Sequence, residues 1–399
     1  MAMERTDRAA RERSRIVRWA ILGAVLLGMT VITIAHQRTN VGKPPGVDAL
    51  CPFGGLETLF TFITTGSFIK RTAASALVLF VGTIGMALVY RRSFCGQLCP
   101  LGALQGIFGA IGGKLFKRRL AIPSVLDRPG RYLKYVVLAV FTVWTWQAAE
   151  LVMRPYDPWA AYAHLTSPEL MLEFGIGTAV LVVSLVGSLV YERFFCKYLC
   201  PTGAMLGLLS KVSIFRIKRD ADACIDCGAC DQACPMNIAV ATADEVRSSE
   251  CISCNECVNS CPAAGALEVK APSGRSMSPL ALTVIVVALL FSLVGVATAA
   301  GQFQWRMPTL GEAIEQHGGA KGFGESTDAA PGGFDTTLIK GYMSIAEISE
   351  ATGIPAAEFT ATFGVPAEAL SQPMKDIKDT YGFSPEDVRA WVDERLAAP

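Results

Sequence analysis

Histidine is nearly absent: the 399 residues hold three. That leaves a bis-histidine haem without a credible ligand supply, and no Cys-x2-Cys-His occurs, so covalent attachment of c-type haem has no support. Charge is scarce as well, at 18% of residues with a net of +1, whereas 51% are hydrophobic and mean hydropathy is +0.38. With several apolar runs near the length of a span, this composition places the chain in a membrane. A secreted disulfide framework is also disfavoured. Of 13 cysteines, all but Cys51 fall into four tight motifs that each end in Cys-Pro, which fits a metal framework in a reducing compartment. The length suggests two or three units.

The densest motif spans Cys224 to Pro262. It reads Cys-x2-Cys-x2-Cys-x3-Cys-Pro twice, through Cys224, Cys227, Cys230 and Cys234, then Cys251, Cys254, Cys257 and Cys261. This is the cysteine run of a bacterial two-cluster ferredoxin, in which each run gives three thiolates to one cluster and its fourth to the other. Cys224, Cys227, Cys230 and Cys261 are thus assigned to one 4Fe–4S cluster, and Cys251, Cys254, Cys257 and Cys234 to the second. Gly228, Ala229 and Ser253 in the gaps let backbone N–H groups approach sulfur. A pair of zinc knuckles is the alternative, but zinc usually takes two separated Cys-x2-Cys pairs.

The expected fold is mainly α: a polytopic membrane protein of about five transmembrane helices, with an inserted ferredoxin-like α+β module and a small C-terminal helical module. Residues 1–15 form a basic N-terminus, with six arginines by Arg18. The first span covers about residues 16–35, too long for a signal-peptide core and lacking a clear small-residue cleavage site. Further spans are expected near 73–90, 132–153, 170–190 and 280–300, with a short apolar helix at about 56–68. A four-span domain (16–217) therefore precedes the ferredoxin module (218–270), the fifth helix (279–300), a linker (301–333) and the terminal module (334–399). Most Lys and Arg lie at the N-terminus and after the second and fourth spans, which puts those segments and the ferredoxin module in the cytoplasm of a bacterial or archaeal inner-membrane protein. Lys70, Arg71 and Arg154 run against this pattern. Five spans leave the C-terminus outside, and from Gly301 onward it carries 7 basic and 15 acidic residues.

Two stretches repeat without a gap: Tyr90-Arg-Arg-Ser-Phe-Cys-Gly-Gln-Leu-Cys-Pro-Leu-Gly-Ala and Tyr191-Glu-Arg-Phe-Phe-Cys-Lys-Tyr-Leu-Cys-Pro-Thr-Gly-Ala. Upstream, Cys51-Pro-Phe-Gly-Gly matches Asp157-Pro-Trp-Ala-Ala in position. The membrane part therefore consists of two parallel halves, each ending in Cys-x3-Cys-Pro. Symmetry predicts that Cys95, Cys99, Cys196 and Cys200 meet at the inner face. At i and i+4 on a helical turn the two cysteines of a motif share a face. Structural cysteine, a third metal or cluster site, and a redox dithiol pair all remain open for them.

Paired Cys-x3-Cys-Pro motifs on span ends, followed by a two-cluster ferredoxin run, resemble the NapH/NosR-type membrane polyferredoxins over about residues 16–270. The resemblance implies electron transfer between a quinone pool or membrane redox partner and cytoplasmic-face 4Fe–4S clusters, as a quinol dehydrogenase-type membrane subunit of a respiratory system. Two alternatives are a ferredoxin-driven donor to an extracytoplasmic reductase, and an iron–sulfur redox sensor or assembly protein. The chain departs from the family plan in two ways: it lacks the flavin-binding domain of the NosR branch, and it adds a fifth span and a tail.

A quinone would need a proton acceptor near the outer interface, and Glu150, His164 and His36 are the candidates. Each also fits a solvated loop residue. Cys51, before Gly54-Gly55, reads as structural. Beyond the glycine-rich linker, Ser344-Ile-Ala-Glu347 forms a capping box and Ser384-Pro385-Glu-Asp starts a helix. The terminal module is acidic, so nucleic acid is not its partner; docking of an extracytoplasmic protein is the expectation.

Overall fold

The computed structural model describes residues 2–38, 44–65, 74–116, 122–148, 151–167, 170–306, 336, 339, 341 and 343–397. The chain divides into two compact units, one of Met1–Gln37, Gly46–Thr64 and Phe68–Gln304, the other chiefly Trp305–Pro399.

No proline interrupts the first 38 residues, and the basic segment and the apolar run join in one helix, α1 (Ala2–Arg38). The first repeat follows as α2 (Pro52–Thr65), α3 (Ala74–Tyr90), α4 (Ser93–Gln97) and α5 (Pro100–Leu115). Helices α6 (Ser124–Gly130) and α7 (Leu133–Ala148) lead to the second repeat: α8 (Pro158–Ala163), α9 (Leu170–Glu173), α10 (Gly175–Val190), α11 (Phe194–Tyr198) and α12 (Pro201–Leu209). The ferredoxin module contributes α13 (Ala229–Ala233) and α14 (Glu256–Ser260), and α15 (Pro279–Ala299) ends the unit.

Two helices are long and apolar enough to cross a membrane: residues 9–38 of α1, and α15. Helices α3 and α10 are apolar but shorter. The expected third span is helical for 16 residues, about 24 Å at 1.5 Å per residue, and the expected fourth is broken at Phe174 into α9 and α10. Apolar side chains such as Val136, Val140 and Val143 on α7 and Val182, Val183 and Val186 on α10 are exposed.

The repeats interlock. Helix α5 of the first packs on α10 of the second, and α12 of the second packs on α3 of the first. One local expectation fails. Cys95 and Cys99 do not share a continuous helical turn, because Leu98 leaves helical geometry at φ −129° and Cys99 is the extended N-cap of α5. Cys196 and Cys200 are separated in the same way. The cause is Pro100 and Pro201, each of which disfavours helix in the residue before it and opens the next helix at its first position.

The ferredoxin module is built into this unit. Strand β1 (Arg216–Arg219) pairs antiparallel with β2 (Leu267–Lys270), Ile217 opposite Val269, and β2 pairs with β3 (Ser276–Met277). Ile217, Val258, Leu267 and Val269 share one apolar core with Met86 and Tyr90 of α3 and Leu282 and Val286 of α15. Amides of Ile214 and Phe215 donate to the Leu88 and Val89 carbonyls at 2.8 and 2.9 Å, satisfying two of the carbonyls at the open end of α3.

The second unit holds helices Ile345–Thr352, Ala356–Phe363, Met374–Tyr381 and Pro385–Ala397 around Ile348, Phe359, Val388 and Val392. Both expected starts are present: Ser344 and Glu347 cap each other reciprocally, and Ser384 accepts from the Asp387 amide at 3.1 Å. The linker expected before this unit falls mostly on residues 307–335, outside the described residues.

Candidate electron-transfer site

The two cysteine runs fold alike because each needs the same backbone winding. The second residue after the first cysteine has positive φ in both, Asp226 at 50° and Ser253 at 53°, and so does the fourth, Gly228 at 67° and Asn255 at 61°. Left-handed residues at that spacing coil the chain around a centre and turn amides inward, the geometry of an anion nest. Each non-glycine among them costs on the order of 1 kcal/mol, a strain that a ligand-holding loop can repay. A short helix within each run, α13 and α14, carries the third cysteine, and the fourth then leaves in extended geometry.

The two sets differ in exposure at Cys224, which is half-buried, and Cys227, while Cys230 and Cys261 are buried like the second set. Cys224, Cys227, Cys230 and Cys261 line one cavity of about 350 Å³ including the space open to solvent, and Cys227 is exposed. Cys234, Cys251, Cys254 and Cys257 are all buried. Burial pushes the Cys254 thiol up to about 12 and the Cys257 thiol well above its ordinary value, with the neighbouring cysteines adding to the rise at Cys257. Thiols so placed ligate only when a metal centre displaces their protons. The amide of Ile238 donates to Cys234 Sγ at 3.4 Å.

The buried set is clamped by the first Cys-x3-Cys-Pro turn. Gln97 Nε2 donates to the Ser253 carbonyl at 2.8 Å, and Ser253 Oγ donates to the Tyr90 carbonyl at 3.0 Å. Tyr90 donates to Asn255 Oδ1, and Arg91 to the Ser248 carbonyl. Gly96 presses so closely on the Ile252 carbonyl that any Cβ there would collide with it. The basic N-terminus joins the clamp: Arg15 Nε donates to Glu256 at 2.9 Å, Arg18 Nε to the Gly96 carbonyl at 3.0 Å, and Arg11 to the Cys261 carbonyl. Arginines read from the sequence as topological flanks are therefore also structural, and they hold α1 and the ferredoxin module at one end of the unit.

Cys95, Cys99, Cys196 and Cys200 lie within electrostatic range of one another. Amides of Gly102 and Gly203 donate to Cys99 Sγ at 3.4 Å and Cys200 Sγ at 3.2 Å, and Gln105 Nε2 donates to Cys196 Sγ at 3.4 Å. Burial pushes Cys99 up to about 12 and raises Cys95 and Cys200 too. No group of three or more His, Cys, Asp or Glu among the described residues is close enough to hold a single metal ion. A cubane spreads its four thiolates more widely than one ion does. Sulfur-directed amides, buried cations beside the thiols and glycines that make room all fit such a group.

Charged residues invisible to pattern reading surround this centre. Arg91, Arg92, Arg193, Lys134 and Lys197 have at most 1% exposure. Glu250 pairs with Lys134 and, at 3.4 Å, with Arg92. Asp127 accepts from Tyr198 at 2.7 Å and Tyr191 at 3.1 Å and pairs with Arg131 at 2.6 Å. Burial lowers Lys197 to about 7. Their only sequence signal was position beside the cysteine motifs.

Glu150 lies outside the described residues. His164 stacks on Phe174 at 4.2 Å, with Nδ1 2.7 Å from the Ala160 carbonyl and Nε2 3.5 Å from Arg154. His36 abuts Gly46. A carboxylate missed from the sequence, Glu57 of α2, is buried and accepts from Thr145 at 3.1 Å. A lone acid in an apolar helix was the signal. Burial, and then Asp157, raise the Cys51 thiol, which fits a structural residue.

Comparison with known proteins agrees with this chemistry. A 4Fe-4S binding domain model matches residues 72–122 and 175–220, the two Cys-x3-Cys-Pro repeats, and a 4Fe-4S dicluster domain model matches residues 216–262. The chain is 34% identical over 285 residues to the protein YccM of Escherichia coli (strain K12), covering 69% of this chain and 79% of that one. It is 28% identical over 155 residues to the ferredoxin-type protein NapH of Escherichia coli (strain K12), covering 38% of this chain and 50% of NapH. With the regulatory protein NosR of Pseudomonas aeruginosa it shares 29% identity over 163 residues, 40% of this chain and 22% of NosR. No solved structure matches the chain. Coverage of this extent, with all four cysteine motifs in order, shows that the chain belongs to the NapH/NosR-type polyferredoxins, ferredoxin-type proteins that carry iron–sulfur clusters for electron transfer.

Proposed function

We propose that this chain is a multi-pass membrane relay in which electrons run in line through an exposed ferredoxin-type cluster, a buried one and the paired Cys-x3-Cys-Pro centre. Cys224, Cys227, Cys230 and Cys261 hold the first 4Fe–4S cluster, and Cys234, Cys251, Cys254 and Cys257 the second. Cys95, Cys99, Cys196 and Cys200 hold a third iron–sulfur group between the repeats. These groups supply one-electron chemistry when bound, while the protein sets their position and potential.

The observation that carries this reading is the contrast in burial. One cysteine set opens to solvent at Cys227, and the other is sealed against the turn that carries Cys95. A soluble redox protein reaches the first, and only the protein interior reaches the second. The membrane end then exchanges electrons with the quinone pool or a membrane-bound partner, as a subunit of a respiratory system. The N-terminus and ferredoxin module face the cytoplasm, supported by the arginines that tie α1 to the module, and the acidic C-terminal module docks a partner outside.

Full-length protein, reconstituted anaerobically, tests the reading. Iron and sulfide analysis should give about twelve irons per chain, against about eight for the ferredoxin module alone. Added quinol should reduce the clusters. If quinol leaves them oxidised at every pH tried while a reduced soluble ferredoxin bleaches them, the quinone end is wrong and the ferredoxin-driven direction replaces it.

A further inference from the structure

The repeats exchange arginines across their interface. Arg92, three residues before Cys95, crosses to the start of α12, where its guanidinium fills the place that a side chain on Gly203 would take; Cys200 Sγ is 3.4 Å from that same point. Arg193, three residues before Cys196, crosses the other way to the start of α5. Its Nη1 lies 2.6 Å from where a Cβ on Gly102 would be and donates to the Cys95 carbonyl at 2.8 Å. Both side chains are buried, at 0% and 1% exposure.

This placement runs against ordinary helix electrostatics. Helices α5 and α12 are N-capped by Cys99 and Cys200, and a helix N-terminus carries partial positive charge that disfavours a nearby cation. Each helix start nevertheless receives a buried guanidinium from the opposite repeat. Among the described residues, Arg92 Nε and Nη2 and Arg193 Nε meet no hydrogen-bond partner, and a buried charge needs its remaining donors satisfied to offset the cost of leaving water. Among the described residues Glu250 is the one carboxylate bonded to Arg92, and it is shared with Lys134. Two cations, two helix starts and the Gln105 amide thus converge on four cysteines.

We infer that Arg92 and Arg193 are crossed counter-cations that neutralise a dianionic group held by Cys95, Cys99, Cys196 and Cys200, as four thiolates on an oxidised 4Fe–4S core would be. The inference rests on the proposed third iron–sulfur group and adds what makes it tenable in a dry interior. Two guanidinium charges balance the oxidised group, and they favour arrival of one more electron from the buried ferredoxin-type cluster, which is oxidised as the electron leaves it. A neutral pair of disulfides would leave Arg92 with only a carboxylate it shares with Lys134, and Arg193 with no carboxylate among the described residues. Since each repeat supplies the cation for the other's helix start, neither repeat completes the centre alone.

The test uses the full-length chain, reconstituted anaerobically, with EPR-monitored redox titration and iron analysis. The clusters of the ferredoxin module serve as internal standards. Wild type should hold iron that the Cys95→Ser/Cys196→Ser variant lacks; equal iron in the two refutes the third group itself, and the inference falls with it. Given that extra iron, Arg92→Gln and Arg193→Gln should each either lose it or lower the reduced-to-oxidised ratio of that group about tenfold at a fixed poise, equivalent to about 59 mV for a one-electron couple. The ferredoxin-module signals should hold in both variants. Arg92→Lys, which keeps the charge, should recover most of the shift. Full occupancy and an unshifted potential in both glutamine variants would overturn the counter-cation role while leaving the third group standing. A Lys variant indistinguishable from Gln would also overturn it, because the effect would then be one of shape.

Discussion

Gln97 Nε2 donates to the Ser253 carbonyl at 2.8 Å, so a side chain of the first Cys-x3-Cys-Pro turn holds the loop between Cys251 and Cys254. Ser253 sits at φ 53° and does not relax into a commoner conformation, because its hydroxyl is also tied to the Tyr90 carbonyl. The cysteine loop and the turn are therefore one mechanical piece. Replacing Gln97 with Ala should cost about 1–2 kcal/mol, the penalty for stranding a buried carbonyl. The buried cluster's EPR signal should broaden or diminish while that of the exposed cluster stays. Unchanged unfolding and unchanged spectra would show that the contact does not position the loop.

Glu250 is the carboxylate shared by Lys134 and Arg92. Glu250→Leu should destabilise the protein by about 3–5 kcal/mol, since it leaves two buried cations facing an apolar group. Adding Lys134→Met should restore part of that loss, because one stranded charge is then removed. Thermal unfolding of the single and double variants decides the point. A double variant less stable than the single one would refute it.

Asp127 predicts a pH dependence. Burial works against its carboxylate, but Arg131 and the Tyr198 and Tyr191 hydroxyls more than offset that and hold it below its ordinary value. A group depressed on folding adds stability above its unfolded value, about 3.9 for aspartate, and that stability is lost as pH falls through the lower folded value. Wild type should therefore lose stability more steeply on acidification below about pH 4 than Asp127→Asn does. At neutral pH the variant should be about 2 kcal/mol weaker. Parallel pH profiles would remove Asp127 as the cause.

Removal of iron should be ordered by exposure. Cys227 is exposed, whereas Cys234, Cys251, Cys254 and Cys257 are buried. Air and a chelator should first extract the cluster proposed at Cys224, Cys227, Cys230 and Cys261, leaving the iron and the EPR signal of the buried set. Simultaneous loss, or loss of the buried set first, would contradict the burial difference.

The chemistry was legible because its spacing is local. Three cysteines two residues apart can wrap a cube, and a proline after the fourth ends the turn, so Cys224 to Pro262 is readable before any fold is known. The repeat around Cys95 and Cys196 was legible for the same reason. Helical spacing alone puts Cys95 and Cys99 on one face, but that rule presumes an unbroken helix and Pro100 breaks it. Arg91, Arg92 and Arg193 were read only as charges beside a bilayer, since hydropathy ranks an arginine as exposed whatever its partners.

The sequence by itself determined that this protein holds iron–sulfur clusters, that its apolar helices come as a duplicated pair, and that its tail is acidic. Those are properties of residue type and short spacing. Only the tertiary structure decided which cysteine set meets solvent, that the arginine-rich start of α1 grips the ferredoxin module, and that each repeat lends a buried guanidinium to the other. Burial and long-range pairing arise when segments a hundred residues apart close on one another, and no local pattern encodes which partner a charge will find.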